Sequence, residues 1–262
     1  MIRLGTSGFS YDDWVGAFYP PDLPRREWLA YYAREFDTVE LNVTYYRVPD
    51  RRTVEGWIHR TPESFLFAVK AHGSLTHERQ EPDFAGFVEA IAPLRSSMRL
   101  ACVLAQFPNS FAPSEGNWDY LERLRDGLAD HPLVVEFRRR NWVREEAFQR
   151  LAAMGLGFCC VDEPQLAGLM PPEARATGPV GYVRFHGRNA QKWWEHEQAW
   201  ERYDYSYKDE ELREWIPRLR RLEQAAEVVL VYANNHYRSQ SVNTLRALRA
   251  MLGEGVQGSP GV

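Results

Sequence analysis

The chain has 262 residues, with 32 Lys plus Arg against 36 Asp plus Glu for a formal charge of −4, and 44% hydrophobic and 13% aromatic content. That length suits one large core, and that balance excludes a globally basic nucleic-acid coat, so any affinity for anions has to be local. No stretch approaches the ~18 apolar residues of a membrane span, and the chain opens straight into a strand-like segment, so the expectation is a soluble, cytoplasmic protein with no membrane partner.

Short β-branched, apolar runs recur along the chain at residues 2–6, 38–41, 65–70, 100–106, 133–137, 157–162, 181–185 and 228–232. Amphipathic stretches that read as helices follow most of them, at 26–35, 52–59, 84–96, 118–129, 145–154 and 239–252. A seventh helix at 210–225 follows the 181–185 run only after a long loop. The 157–162 run has no helix behind it, because Pro164, Pro171, Pro172 and Pro179 interrupt what comes next. Nearly all-apolar strands such as 133–135 suit a parallel sheet covered on both faces, and eight βα repeats in this length predict a single (β/α)8 TIM-barrel-like domain over residues 1–252. An open doubly wound sheet is the rival, but its glycine-rich turn after the first strand is missing. Residues 253–262, with four glycines and a proline, read as a disordered tail. Cys102, Cys159 and Cys160 read as reduced core residues.

In a parallel barrel the carboxyl ends of all strands open on one face, so polar side chains there converge. The candidates are Ser7, Glu40 with Asn42, Lys70 with His72, Gln106, Glu136 with Arg138, Asp162, His186 with Arg188, and Asn234 with Asn235. Several are i, i+2 pairs, which places both side chains on one side of a strand. Turn and cap roles compete for Ser7, Asp162 and Asn235. Glu40, Lys70, Glu136, Arg138 and His186 each end an apolar run, where a charge is costly unless paired or liganded. A mouth of mixed sign with Lys70, Arg138 and Arg188 implies an anionic ligand; an internal ion-pair network is the structural alternative.

The blocks around Gly5-Thr6-Ser7-Gly8-Phe9, Val39-Glu40-Leu41-Asn42 with Thr44-Tyr45-Tyr46, Phe67-Ala68-Val69-Lys70-Ala71 with Leu75-Thr76-His77, Val135-Glu136-Phe137-Arg138 with Trp142, Arg184-Phe185-His186-Gly187-Arg188 and Tyr232-Ala233-Asn234-Asn235-His236 together resemble the YecE-like family, also called domain of unknown function 72. The resemblance spans residues 2–250 and implies a TIM-barrel-like fold with no settled activity. It also brings Tyr45 and Trp142 among the candidates for ligand contact. The family is distantly similar to endonuclease IV and xylose isomerase barrels, but Lys70, Arg138 and Arg188 stand where a metal cluster would want neutral or anionic ligands, so no metal or other cofactor is expected.

Two loops are unusually rich in rings. Residues 193–207 hold Trp193, Trp194, Trp200, Tyr203, Tyr205 and Tyr207, and the segment after the first strand holds Phe9, Tyr11, Trp14, Phe18 and Tyr19. They read either as lids over a ligand or as satellite cores capping the barrel. The leading expectation is an enzyme that binds a small anionic, phosphorylated or nucleotide-like substrate and performs acid/base hydrolysis or isomerisation. Glu40 or Glu136 would be the base and His186 or His77 the acid; Asn42, Tyr45, Lys70, His72, Gln106, Arg138, Trp142, Arg188, Asn234 and Asn235 would form the binding surface. The alternatives are a non-catalytic protein that binds a nucleic-acid end or a metabolite, and a metal-assisted hydrolase using Glu40, Glu136, Asp162 and His186. No obligate protein partner is implied.

Overall fold

The computed structural model describes residues 1–257. Eight parallel strands follow in chain order: β1 (Ile2–Thr6), β2 (Thr38–Leu41), β3 (Leu66–Lys70), β4 (Leu100–Gln106), β5 (Leu133–Glu136), β6 (Leu156–Asp162), β7 (Val180–Phe185) and β8 (Val228–Ala233). Each pairs with its sequence neighbour from β2 to β8, and β8 pairs with β1 from Ile2↔Val229 to Thr6↔Ala233. Between β1 and β2 there is no continuous ladder. Contact there is a bridge at the carboxyl end, Ser7↔Glu40, with the Gly8 amide donating to the Glu40 carbonyl at 2.8 Å. The result is a nearly closed (β/α)8 barrel. Gly5 makes the seam possible, because a Cβ on it would lie 2.1 Å from the Thr38 carbonyl oxygen.

The helices are α1 (Trp28–Tyr32), α2 (Val43–Tyr46), α3 (Arg51–His59), α4 (Phe84–Ser96), α5 (Glu115–Gly127), α6 (Glu145–Ala153), α7 (Asp209–Arg213), α8 (Ile216–Ala225) and α9 (Gln240–Gln257). Local chemistry sets several starts. Asp50, Asp83 and Ser114 each accept from the backbone amide three residues on, opening α3, α4 and α5. The helix expected at 210–225 is divided, because α7 stops at Arg213 with Glu214 as its C-cap, and Trp215 and Pro217 open α8, the proline with its fixed φ at the first turn. Helix α2 has no amphipathic period to announce it; it is one turn held by the Thr44 hydroxyl, which donates to the carbonyls of Leu41 and Lys70. Past Gly253, α9 continues to Gln257, so part of the segment expected to be a tail is helical, and the rest of it lies outside the described residues. Cys102, Cys159 and Cys160 are buried free thiols.

Contacts between non-adjacent strands define the barrel interior. Thr38 on β2 meets the Tyr232 hydroxyl on β8 at 2.6 Å, and the Tyr182 hydroxyl on β7 donates to Glu40 Oε2 on β2 at 2.6 Å. Two strands separated by others in the sheet touch only through the middle, so Thr38, Glu40, Tyr182 and Tyr232 point inward. The i, i+2 alternation then carries Arg184 inward, one layer nearer the mouth.

Candidate functional site

At that layer Arg184 spans the barrel. Its guanidinium donates to Glu40 Oε1 at 2.7 Å and to Glu136 Oε2 at 2.6 Å, and all three side chains are essentially inaccessible. Burial alone would raise the Glu136 carboxyl, but Arg138, Arg184 and His186 together hold it well below the usual carboxylate range. Burial opposes the charge on Arg184 too, and the two carboxylates overcome it, so Arg184 is held cationic. His186 completes the cluster, with Nε2 3.1 Å from Glu136 Oε1 and Nδ1 3.1 Å from the Asn234 side-chain amide. Burial, reinforced by Arg138, lowers its pKa to about 3, so the ring is neutral. Its one proton then sits on Nε2 facing Glu136, while Nδ1 accepts from Asn234.

Above this layer opens a cavity of about 850 Å³ at the carboxyl ends of the strands. Its polar lining includes Asn42, Lys70, Gln106, Arg138, Arg184 and Asn234, and its rings are Phe9, Tyr11, Tyr46, Trp57, Trp200, Tyr203 and His236. Arg138 donates to Glu136 Oε1 at 3.1 Å and stands 3.7 Å from Glu163 Oε2. Burial pushes the Glu163 carboxyl up to about 7, so near neutrality it carries only part of a charge. Lys70 Nζ donates to Gln106 Oε1 at 2.9 Å and lies 4.5 Å from the centre of the Tyr45 ring. Among the described residues it makes no ion pair. Burial, then the nearby Arg184, lowers its pKa to about 8 against the pull of Glu136 and Glu40. His77 packs edge-on against Tyr45 with ring centres 5.1 Å apart, and burial together with Lys70 lowers it to about 4. Asn42 Oδ1, Arg184 Nε and His236 Nδ1 are buried cavity-residue atoms without a hydrogen-bond partner among the described residues.

The expected site residues therefore fall into three groups. Asn42, Lys70, Gln106, Arg138 and Asn234 line the cavity, with Tyr45 and His77 beside Lys70. Glu40, Glu136 and His186 lie buried beneath it, tied to Arg184 or to one another. The others are held elsewhere by bonds of their own. Arg188 forks onto Asp162 at 2.9 and 2.7 Å and reaches Glu214 at 3.0 Å, while Tyr207 and Trp215 also donate to Asp162. Gly187, with φ +90°, turns the chain away between His186 and Arg188. Asn235 donates to the Tyr205 carbonyl and to Thr244, His72 bonds with Ser74, and Trp142 lies flat on Phe137 at 3.9 Å while donating to the Phe111 carbonyl. The ligand set of the metal-assisted reading is divided, since Asp162 belongs to the Arg188 cluster. Among the described residues no group of three or more His, Cys, Asp and Glu side chains is placed to hold a metal ion, and no helix is long and apolar enough to cross a membrane.

Arg184, Glu163 and Tyr203 escape a reading based on strand ends. Arg184 is inside the apolar run of β7, two residues before His186, and a lone charge flanked by Val183 and Phe185 is the signal that marks it. The aromatic loops divide between the two readings made of them. Trp14, Phe18, Tyr19 and Trp193 are buried packing residues, whereas Phe9, Tyr11, Trp200 and Tyr203 face the cavity. The Tyr11 ring stacks on His236 at 4.4 Å and Trp200 on Tyr237 at 4.2 Å, so the loops after β1, β7 and β8 support one another at the rim.

Comparison with known proteins agrees with this architecture. The chain is 35% identical over 254 residues to UPF0759 protein YunF of Bacillus subtilis (strain 168), covering 90% of this chain and 89% of YunF. A crystal structure of a DUF72 family protein from Thermotoga maritima MSB8 superimposes with a TM-score of 0.89 at 41% identity, over 97% of this chain and 99% of that one. A xylose isomerase domain containing protein from Salmonella typhimurium LT2 shares the fold alone, with a TM-score of 0.52 at 14% identity over 95% of this chain and 97% of that one. The family described as "Protein of unknown function DUF72" matches residues 3–261, and the chain belongs to it.

Proposed function

We propose that the barrel mouth binds a small anionic ligand, phosphorylated or nucleotide-like, and acts on it by proton transfer in a hydrolysis or isomerisation. The observation that carries this reading is the charge of the cavity floor: Lys70, Arg138 and Arg184 stand against Glu40 and Glu136, with Glu163 only partly ionised. Positive charge is left over where a ligand would meet low-dielectric walls. Arg138 holds the anion, Asn42, Gln106 and Asn234 orient it, and the rings of Tyr46, Trp57 and Trp200 cover its flat part. Glu40 and Glu136 anchor Arg184. Lys70, at about 8, is the group able both to give and to take a proton near neutrality. Tyr46 and Trp200 are exposed large rings at the rim, which also favours stacking of a base and so supports the reading as a non-catalytic nucleic-acid-end binder.

Thermal unfolding with glucose 6-phosphate, AMP and a 5′-phosphorylated oligonucleotide, each beside its unphosphorylated counterpart, tests this. A bound ligand at ~100 times its Kd adds about 2.7 kcal/mol, or roughly 5–10 °C in Tm for a chain of this size. The shift should appear with the phosphorylated probe and shrink in Arg138→Gln by at least the ~10-fold affinity that a charge-assisted bond provides. Equal shifts from the uncharged counterparts, or none from any probe, would overturn the reading. Retained affinity with lost turnover in Lys70→Met indicates an enzyme; a change in affinity alone indicates a binding protein.

A further inference from the structure

We propose that Lys70 is a nucleophilic amine that forms an imine with the carbonyl carbon of an aldehyde or ketone carrying a phosphate or carboxylate. The proposal rests on the mouth being an anion site. Composition points to Lys70 first. Of the 32 Lys and Arg residues, 29 are Arg and three are Lys: Lys70, Lys192 and Lys208. Lys192 is half exposed and paired with Glu201 at 3.0 Å, and Lys208 is exposed. In a chain that meets nearly every need for positive charge with guanidinium, the barrel interior holds a primary amine at one position among the described residues. Arg cannot shed its proton and is no nucleophile, whereas an amine desolvated beside other cations is.

The geometry suits attack. Lys70 ends β3 on the cavity wall, and its backbone is fixed by the 2.6 Å bond from Thr44 to its carbonyl. The Gln106 amide donates to the Phe107 carbonyl, which turns its oxygen toward Nζ and gives the amine one acceptor. The Tyr45 ring covers one side. The charged and titratable groups acting on Nζ are Arg184, Arg138, Glu136 and Glu40, with Tyr45 and the neutral His77 as neighbours. Arg138 is left to take the anionic end of the ligand.

In the step itself the Nζ lone pair forms a bond to the carbonyl carbon and the π pair moves to oxygen. A proton passes from nitrogen to that oxygen through solvent, a second proton is taken up, the C–O bond breaks and water leaves, giving the iminium. No oxidant or reductant is consumed. An iminium acidifies the adjacent C–H, so isomerisation or C–C bond cleavage, rather than hydrolysis, is the chemistry the site would support.

The test is borohydride trapping at pH 7 with glyceraldehyde 3-phosphate and with unphosphorylated glyceraldehyde, followed by peptide mapping. Glycerol 3-phosphate, which has no carbonyl, reports anion binding separately by thermal shift. At pH 7 the free-amine fraction of Lys70 exceeds that of a lysine near its ordinary value by on the order of a hundredfold. Reduced adduct should therefore collect on Lys70, rise with pH through about 8, be weaker with glyceraldehyde, and vanish in Lys70→Arg. Label spread over Lys192, Lys208 and the N-terminus, with Lys70 no better than these, overturns the imine; if glycerol 3-phosphate still raises Tm, anion binding at the mouth survives it. Label on Lys70 with no preference for the phosphorylated aldehyde and no shift from glycerol 3-phosphate upholds the amine and removes the anion reading.

Discussion

Replacing Arg184 with Met removes one cation and weakens the hold on two buried carboxylates, leaving Glu40 the Tyr182 hydroxyl and Glu136 the Arg138 and His186 side chains. Glu40 and Glu136 have no exposed surface, and each loses a charge-assisted bond of 2.6–2.7 Å. Breaking a buried pair by deleting one partner costs about 3–5 kcal/mol, and the loss should fall in that range, because Arg184 serves two carboxylates while Arg138 still pairs with Glu136. Against a typical total stability of about 5–15 kcal/mol this is severe. Urea unfolding followed by tryptophan fluorescence measures it. The triple variant Arg184→Met, Glu40→Gln, Glu136→Gln should recover more than half of the loss, because it replaces a cluster of charges with neutral groups of similar size. The pH dependence has a definite sign. The folded pKa of Glu136 is depressed, so its contribution is present above the unfolded value of about 4.3 and fades as pH falls through the folded one. Removing Arg184 weakens that depression, and the gap between wild type and variant should close below about pH 4. A loss under about 1 kcal/mol, or a triple variant no more stable than the single, would refute the interior ion-pair reasoning.

Three further outcomes follow from the geometry. Asp162→Asn should cost about 2–4 kcal/mol, because Arg188, Tyr207 and Trp215 all donate to that carboxylate, whereas Arg188→Gln should leave the thermal shift given by phosphorylated probes unchanged; a lost shift would return Arg188 to the ligand. Gly5→Ala should cost about 3 kcal/mol or more in the same urea assay, since a Cβ 2.1 Å from a backbone carbonyl cannot be relieved by a side-chain rotation; near-neutrality would mean that β1 and β2 separate easily.

The strands were legible because burial on both faces demands continuous apolar runs, and eight of the nine helices among the described residues have predicted counterparts because their faces repeat with the helical period. One counterpart, 210–225, is divided between α7 and α8. Helix α2 and the turn at Ser74–Glu78 that carries His77 were not legible, since both are single turns fixed by contacts distant in sequence. Polar strand ends led to Asn42, Lys70, Gln106, Arg138 and Asn234, and the i, i+2 pairs Glu40 with Asn42 and Glu136 with Arg138 keep to one side of the wall, one member beneath the cavity and the other lining it. Beyond the strand ends that logic is uneven: Arg138 and Asn234 stay at the mouth, whereas Arg188, three residues past β7, and Asn235, two past β8, are directed by local contacts such as the turn at Gly187 and the bond to the Tyr205 carbonyl. Arg184 was hidden for the opposite reason, as a charge within an apolar run that only its partners on β2 and β5 explain.

The gap in the ladder between β1 and β2 gives the cavity a mechanical meaning. Gly8 follows β1, Asn42 follows β2 and Asn234 follows β8, and all three border the same opening. A molecule resting there would touch both banks of the single join that the backbone leaves largely unstitched, and would act as a rivet across it.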